Sequence, residues 1–167
     1  MIADSPYRTS EPLLTPGEGA LAGAAASLLM LPALSVLHPL AGPSARDLLV
    51  RIGQATIPLG AAAWSGSMLV AAGTVQALTG ALLGTLYAVS QDRAPARTLL
   101  GVGLFYGIVV WAGSRVMTAW IFGPLFRTAL HSYTWLLACL FYGALLGGFA
   151  AWAEWRRPLD ARVVPVD

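Results

Sequence analysis

Four long apolar runs, separated by short polar breaks, set the character of this chain. They lie near residues 16–38, 66–90, 99–122 and 131–153. Each reaches the roughly 20 residues that a helix needs to cross a bilayer. The pattern predicts an all-α polytopic membrane protein with four transmembrane helices, arranged as two antiparallel hairpins. The domain organisation follows: a tail over 1–15, a four-helix transmembrane domain over 16–153, and a second tail over 154–167. Thr15-Pro16-Gly17-Glu18 reads as a helix start, with Thr15 as N-cap, Pro16 in the first turn and Glu18 closing a capping box. Pro32 falls inside the first run and predicts a kink.

The longest break, 39–65, holds Leu48, Leu49, Ile52 and Thr56 at helical spacing, with Arg46, Asp47, Arg51 and Gln54 between them. Residues 44–57 are too few to span a bilayer. They suit an interfacial helix or an ordered polar loop. The break Gln91-Asp92-Arg93-Ala94-Pro95-Ala96-Arg97 is short, which makes the second and third runs antiparallel neighbours.

Glycines give the runs their internal order. Gly19/Gly23, Gly80/Gly84, Gly103/Gly107 and Gly143/Gly147 place one Gly-x-x-x-Gly pair in every run. Such pairs let helix backbones approach closely in a membrane, so these eight residues are candidate helix-packing positions. In the second run Gly66, Gly73 and Gly80 are also seven apart, which predicts a glycine stripe. Residues 80–95 and 143–158 share eight of sixteen identities, each passing from Gly-Ala-Leu-Leu-Gly to Arg and Pro. A parallel tandem repeat of hairpins and a coincidence of Ala/Leu/Gly-rich helices both account for that echo.

Composition agrees with a membrane class. Of 167 residues, 57% are hydrophobic and 11% charged, against about 25% charged in soluble domains; mean hydropathy is +0.68. All ten basic residues are arginine, which together with abundant Ala and Gly reads as a bacterial lineage bias and points to the cytoplasmic (inner) membrane. The arginines are spread over the loops, so no nucleic-acid footprint is expected. Over Met1 to Gly19, Arg8 stands against Asp4, Glu11 and Glu18, the wrong charge for a secretory signal, and the first run is expected to be a retained helix. With the N-terminus inside, Arg8, Arg93, Arg97, Arg156, Arg157 and Arg162 are cytoplasmic, and Arg46, Arg51 and Arg127 are outside. The bias predicts cytoplasmic N- and C-termini. The glycine pairs then all fall in the cytoplasmic half.

Tyr87-Ala88, Gly103-Leu104-Phe105-Tyr106-Gly107, His131 and Tyr142-Gly143 make residues 75–150 similar to small four-span bacterial inner-membrane proteins of unknown function. That resemblance implies a fold and no activity.

Candidate chemistry gathers at the opposite end from the glycine pairs. His38 ends the first run, His131 opens the fourth, and Arg115 lies within the third, about seven residues or 10 Å from its end. Gly103, Gly107, Trp111, Ser114 and Thr118 share an arc of about 80°, with Arg115 at its edge. These three basic residues form the candidate outer-side polar site, with Arg115 able to snorkel or to lie on Trp111. Two histidines do not make a metal centre, Cys139 stands alone, and no catalytic set is visible. No catalytic residue, metal or cofactor is therefore expected, and the chain does not read as an enzyme. The expected partners are membrane lipids and a protein partner or homo-oligomer within the bilayer. Two functions fit these features. One is a non-catalytic accessory or structural subunit packing against a larger membrane complex, such as a respiratory or photosynthetic one. The other is a small oligomeric transporter or channel for an anionic or small solute, using an outward-side cavity near Arg115.

Overall fold

The computed structural model describes residues 13–37, 66–91, 98–121 and 133–156. They form four α-helices and, among the described residues, no strand: α1 (Pro16–Leu37), α2 (Gly66–Ser90), α3 (Leu99–Ile121) and α4 (Tyr133–Trp155). The stretch 44–57, His38, His131 and both tails lie outside the described residues. Three helices are long and apolar enough to cross a membrane, over Val70–Ser90, Leu99–Met117 and Tyr133–Trp155. Each helix begins and ends within two residues of the apolar run that predicts it.

α1 opens on the capping box its sequence predicts. The Thr15 backbone N–H donates to Glu18 Oε2 at 2.8 Å, and the Glu18 N–H donates to Thr15 Oγ1 at 3.2 Å. Two orphan donors at the helix start are thereby satisfied within one turn. α4 runs two residues beyond its apolar stretch, and this changes one expectation. Glu154, assigned by sequence to the following tail, stands in the last turn of α4 with Oε2 enclosed.

α1 packs on α2 and α3 packs on α4; the two hairpins meet along α1 and α4. Each of these two inner helices carries a pair of adjacent rows at four-residue spacing. On α1, Gly19, Gly23 and Ser27 form one row, and Ala22, Ala26 and Met30 the next. On α4, Cys139, Gly143 and Gly147 form one row, and Ala138, Tyr142, Leu146 and Ala150 the next. The glycine-bearing rows face the hairpin partner. The second rows join a shared core with Leu14, Tyr87, Ala88 and Leu99.

Small residues therefore line the seams within each hairpin, Met30, Tyr87, Leu99, Tyr142 and Leu146 give bulk to the shared core, and large apolar side chains also cover the exterior. Leu21, Val70, Leu78, Leu82, Phe105, Val116, Met117 and Trp155 are all well exposed. A water-soluble protein hides such residues, and a contiguous apolar exterior of this size marks a partner or lipid phase. Because lipid is as apolar as leucine, burying large side chains would gain these helices little. Close backbone packing draws them together instead.

Candidate functional site

Glycine pairs of α1 and α2 interleave at the end of the bundle where α1 begins. A Cβ placed on Gly23 would lie 2.7 Å from Gly84 Cα and closer still to the Gly80 carbonyl oxygen. One placed on Gly19 would lie 2.6 Å from Gly84 O and 2.5 Å from Ala88 Cβ. The second hairpin repeats the arrangement: a Cβ on Gly103 would lie 2.8 Å from Gly147 Cα, and one on Gly147 2.7 Å from Leu99 O. Gly107 faces the Cys139 carbonyl and Gly143 faces that of Gly103. All eight paired glycines thus lie against another helix's backbone, and at Gly80 the Ser27 side chain stands in the way as well.

The two seams differ in register. Gly19 faces Gly84 and Ala88, whereas Gly103, its counterpart, faces Gly143 and Gly147, the counterparts of Gly80 and Gly84. The second hairpin is offset by one helical turn relative to the first.

The predicted stripe of seven-spaced glycines is corrected. Gly73 has open space around its Cα, with nothing within 4 Å of an added Cβ. The seam on α2 follows Ala88, Gly84, Gly80, Gln76 and Ala72, a four-residue row. Ala72 is fully buried, and Ser27 Oγ meets the Gln76 carbonyl at 3.1 Å. Such rows are the ridges that interdigitate when helices cross at about −40 to −50°. A seven-residue stripe belongs to the shallower packing of coiled coils.

Three tyrosines bind the hairpins together. Tyr142 of α4 donates its hydroxyl to the Gly80 carbonyl of α2 at 3.0 Å, and Tyr106 of α3 donates to Leu83 O of α2 at 2.6 Å. Tyr87 of α2 donates to Leu99 O of α3 at a longer 3.4 Å. Gly80 O and Leu99 O are also carbonyls on which Gly23 and Gly147 sit. Each hairpin therefore sends a phenol to a carbonyl in the other's glycine seam. The Tyr87 and Tyr106 rings meet edge to face with centroids 5.2 Å apart. Reasoning from spacing missed this cluster. The available signal was chemical, since each tyrosine stands directly before Ala or Gly, and Tyr106 and Tyr142 lie well inside their helices.

At the far end of α3, Trp111 and Ser114 of the arc predicted to face protein are half-buried, while Thr118 lies outside the residues whose side chains are described. Trp135 of α4 donates its indole N–H to Ser114 Oγ at 3.0 Å, and Ser114 donates onward to the Trp111 carbonyl at 2.7 Å. The Arg115 guanidinium lies over the Trp111 ring, 4.9 Å from its centroid. Of the three candidate polar-site residues, Arg115 is the one within the described residues. His38 and His131 lie outside them. No group of three or more His, Cys, Asp or Glu that could hold a metal ion occurs among the described residues. Cys139 is buried against the Gly107 side of the seam. At the other end of α4, Arg156 stacks on Trp152 at 3.8 Å.

No protein family, curated protein or solved structure matches this chain.

Proposed function

We propose that the protein is a non-catalytic integral membrane subunit that packs against a larger membrane complex. One observation carries this reading. The hydroxyls at the centre of the bundle, those of Tyr87, Tyr106, Tyr142 and Ser27, are all donated to backbone carbonyls. Groups that could bind or transform a substrate there hold helices together instead. Affinity purification from native membranes should recover a partner at fixed stoichiometry. Recovery of a stable monomer in mild detergent would sink the reading.

The finer architecture belongs to the same proposal. α1 has 22 residues, about 33 Å of helix, enough for the roughly 30 Å hydrocarbon core, and we take it as the fourth span. The arginine bias puts both termini in the cytoplasm and the glycine seams in the inner half, in a bacterial inner membrane. Labelling of single cysteines in residues 39–65 and in the tails by a membrane-impermeant maleimide tests that orientation; labelling of the tails in intact cells would reverse it. The matched pairing of seams supports a duplicated hairpin whose copies have since shifted by one turn.

The transporter reading rests on the in-span cation Arg115 and its stack on Trp111. It requires an oligomer, and loss of solute flux in Arg115→Leu would favour it over the subunit.

A further inference from the structure

The last turns of α4 hold a cation on an aromatic platform. Arg156 lies over the Trp152 ring, 3.8 Å from its centroid, a pairing that four-residue spacing on one helix allows. Phe149 meets the same indole with ring centroids 5.5 Å apart, so the platform is braced by its own helix. Stacking takes up one face of the guanidinium and none of its five N–H groups, which point outward in its plane. Arg156 is exposed, and among the described residues none of these donors has an acceptor.

Toward the middle of α4 the same side of the helix carries a notch. Leu137, Phe141, Gly148, Trp152 and Trp155 fall within an arc of about 60° at 100° per residue, and all five are exposed. At Gly148 nothing lies within 4 Å of an added Cβ. Phe141 and Trp152 bracket it, about 16 Å apart along the axis, close to the roughly 15 Å that one leaflet contributes to the hydrocarbon core. Ala144 and Leu145 beside the notch are half-buried. The open strip is thus one residue wide, the scale of an acyl chain rather than of a helix about 10 Å across. Trp152 and Trp155 stand at the helix end, where indoles mark the headgroup level.

We propose that Arg156, Trp152 and Gly148 form a binding site for an anionic phospholipid. The guanidinium fork takes two oxygens of the phosphodiester, a geometry it matches well. One acyl chain lies over Gly148, between the Trp152 and Phe141 rings. The closing carbonyls of α4 carry partial negative charge, so the guanidinium holds the anion against that field. A soluble anion would use the cation and leave the apolar strip bare. The site needs α4 to cross a membrane and stands whether or not the subunit reading holds.

The test is native mass spectrometry of the full chain in mild detergent. Phosphatidylglycerol, a diacylglycerol with the same chains, and inorganic phosphate are added separately. The protein should retain phosphatidylglycerol in preference to diacylglycerol, and inorganic phosphate should not displace it. In Arg156→Gln the affinity for the tightest-bound phosphatidylglycerol should fall by roughly tenfold or more, as for loss of a charge-assisted bond, and Arg156→Lys should recover only part of it. Gly148→Leu fills the notch with the arginine in place and should weaken retention as well. Both positions are exposed, and circular dichroism checks that the variants keep their helices. Undiminished retention in Arg156→Gln or in Gly148→Leu, equal retention of diacylglycerol, or displacement by inorganic phosphate would each overturn the proposal. So would a copurifying protein that is lost in Arg156→Gln while phospholipid retention stays the same, which would give this face to a protein partner.

Discussion

Replacing Gly23 with alanine tests the packing logic most directly. The new Cβ would sit 2.7 Å from Gly84 Cα, whereas carbon atoms in contact prefer about 3.5–4.0 Å. The obstruction is backbone, so α1 and α2 must part by about 1 Å. A gap of that order forfeits roughly a quarter to a half of each contact's attraction, and overpacking of this kind typically costs about 1–3 kcal/mol. Gly148→Ala is the matched control. Nothing lies within 4 Å of its added Cβ, so it receives the helix-propensity gain of up to about 1 kcal/mol without the clash. Gly23 also lies inside its helix, so its variant receives the same gain and the two should differ by the clash alone, about 1–3 kcal/mol. Reversible unfolding in mixed dodecyl sulfate and mild-detergent micelles, followed by circular dichroism, measures that difference. Equal stabilities would show that the seam does not hold the hairpin, and the account of the fold given above would fail.

Other outcomes follow from the same contacts. Gly23→Ala and Gly107→Ala lie in different hairpins and should add, whereas Gly23→Ala and Gly84→Ala share one seam and should not; a double-mutant cycle decides this. A Cβ on Gly80 would collide with the Ser27 side chain as well as with the Gly23 carbonyl, so Ser27→Gly should partly restore the stability of Gly80→Ala in the same unfolding assay. Tyr142→Phe removes the bond to Gly80 O and should cost about 0.6–1.7 kcal/mol, the range found for bonds between membrane helices. Thr15→Ala breaks the capping box and should lower stability by about 1 kcal/mol, with hydrogen exchange rising in the first turn of α1 alone.

How far the sequence foretells this molecule depends on which interaction fixes each feature. Helix ends are set by length against bilayer thickness and by Pro, Gly and capping residues, all local, and they are legible to within two residues. The closeness of glycine pairs to other backbones also follows from local composition. Gly73 shows where such reasoning stops. Whether a glycine meets a neighbour depends on the crossing of two helices, and that is set by the whole row from Ala88 to Ala72, not by one spacing. The tyrosines were obscure for a related reason: their acceptors are ordinary helix carbonyls at Gly80, Leu83 and Leu99, which carry no signal in a sequence. Arg115 was conspicuous as a charge in an apolar run. That Trp135 of α4 finds Ser114 of α3 while the enclosed Trp111 Nε1 has no hydrogen-bond partner among the described residues could be seen only with both helices in place.

The tyrosine bonds also bear on the order in which the protein is built. Synthesis proceeds from the N-terminus, and every backbone that seals the first glycine seam, up to Ala88, exists before α3 has been made. The first hairpin can close on itself as it leaves the ribosome. The Gly80 carbonyl then waits for a phenol 62 residues downstream, and the Tyr87 hydroxyl waits for a carbonyl 12 residues ahead. Each seam is closed by chain of its own hairpin, and the joint between hairpins is completed by chain still to come. A nascent protein halted after α2 would therefore hold a formed hairpin with its fastening points unfilled.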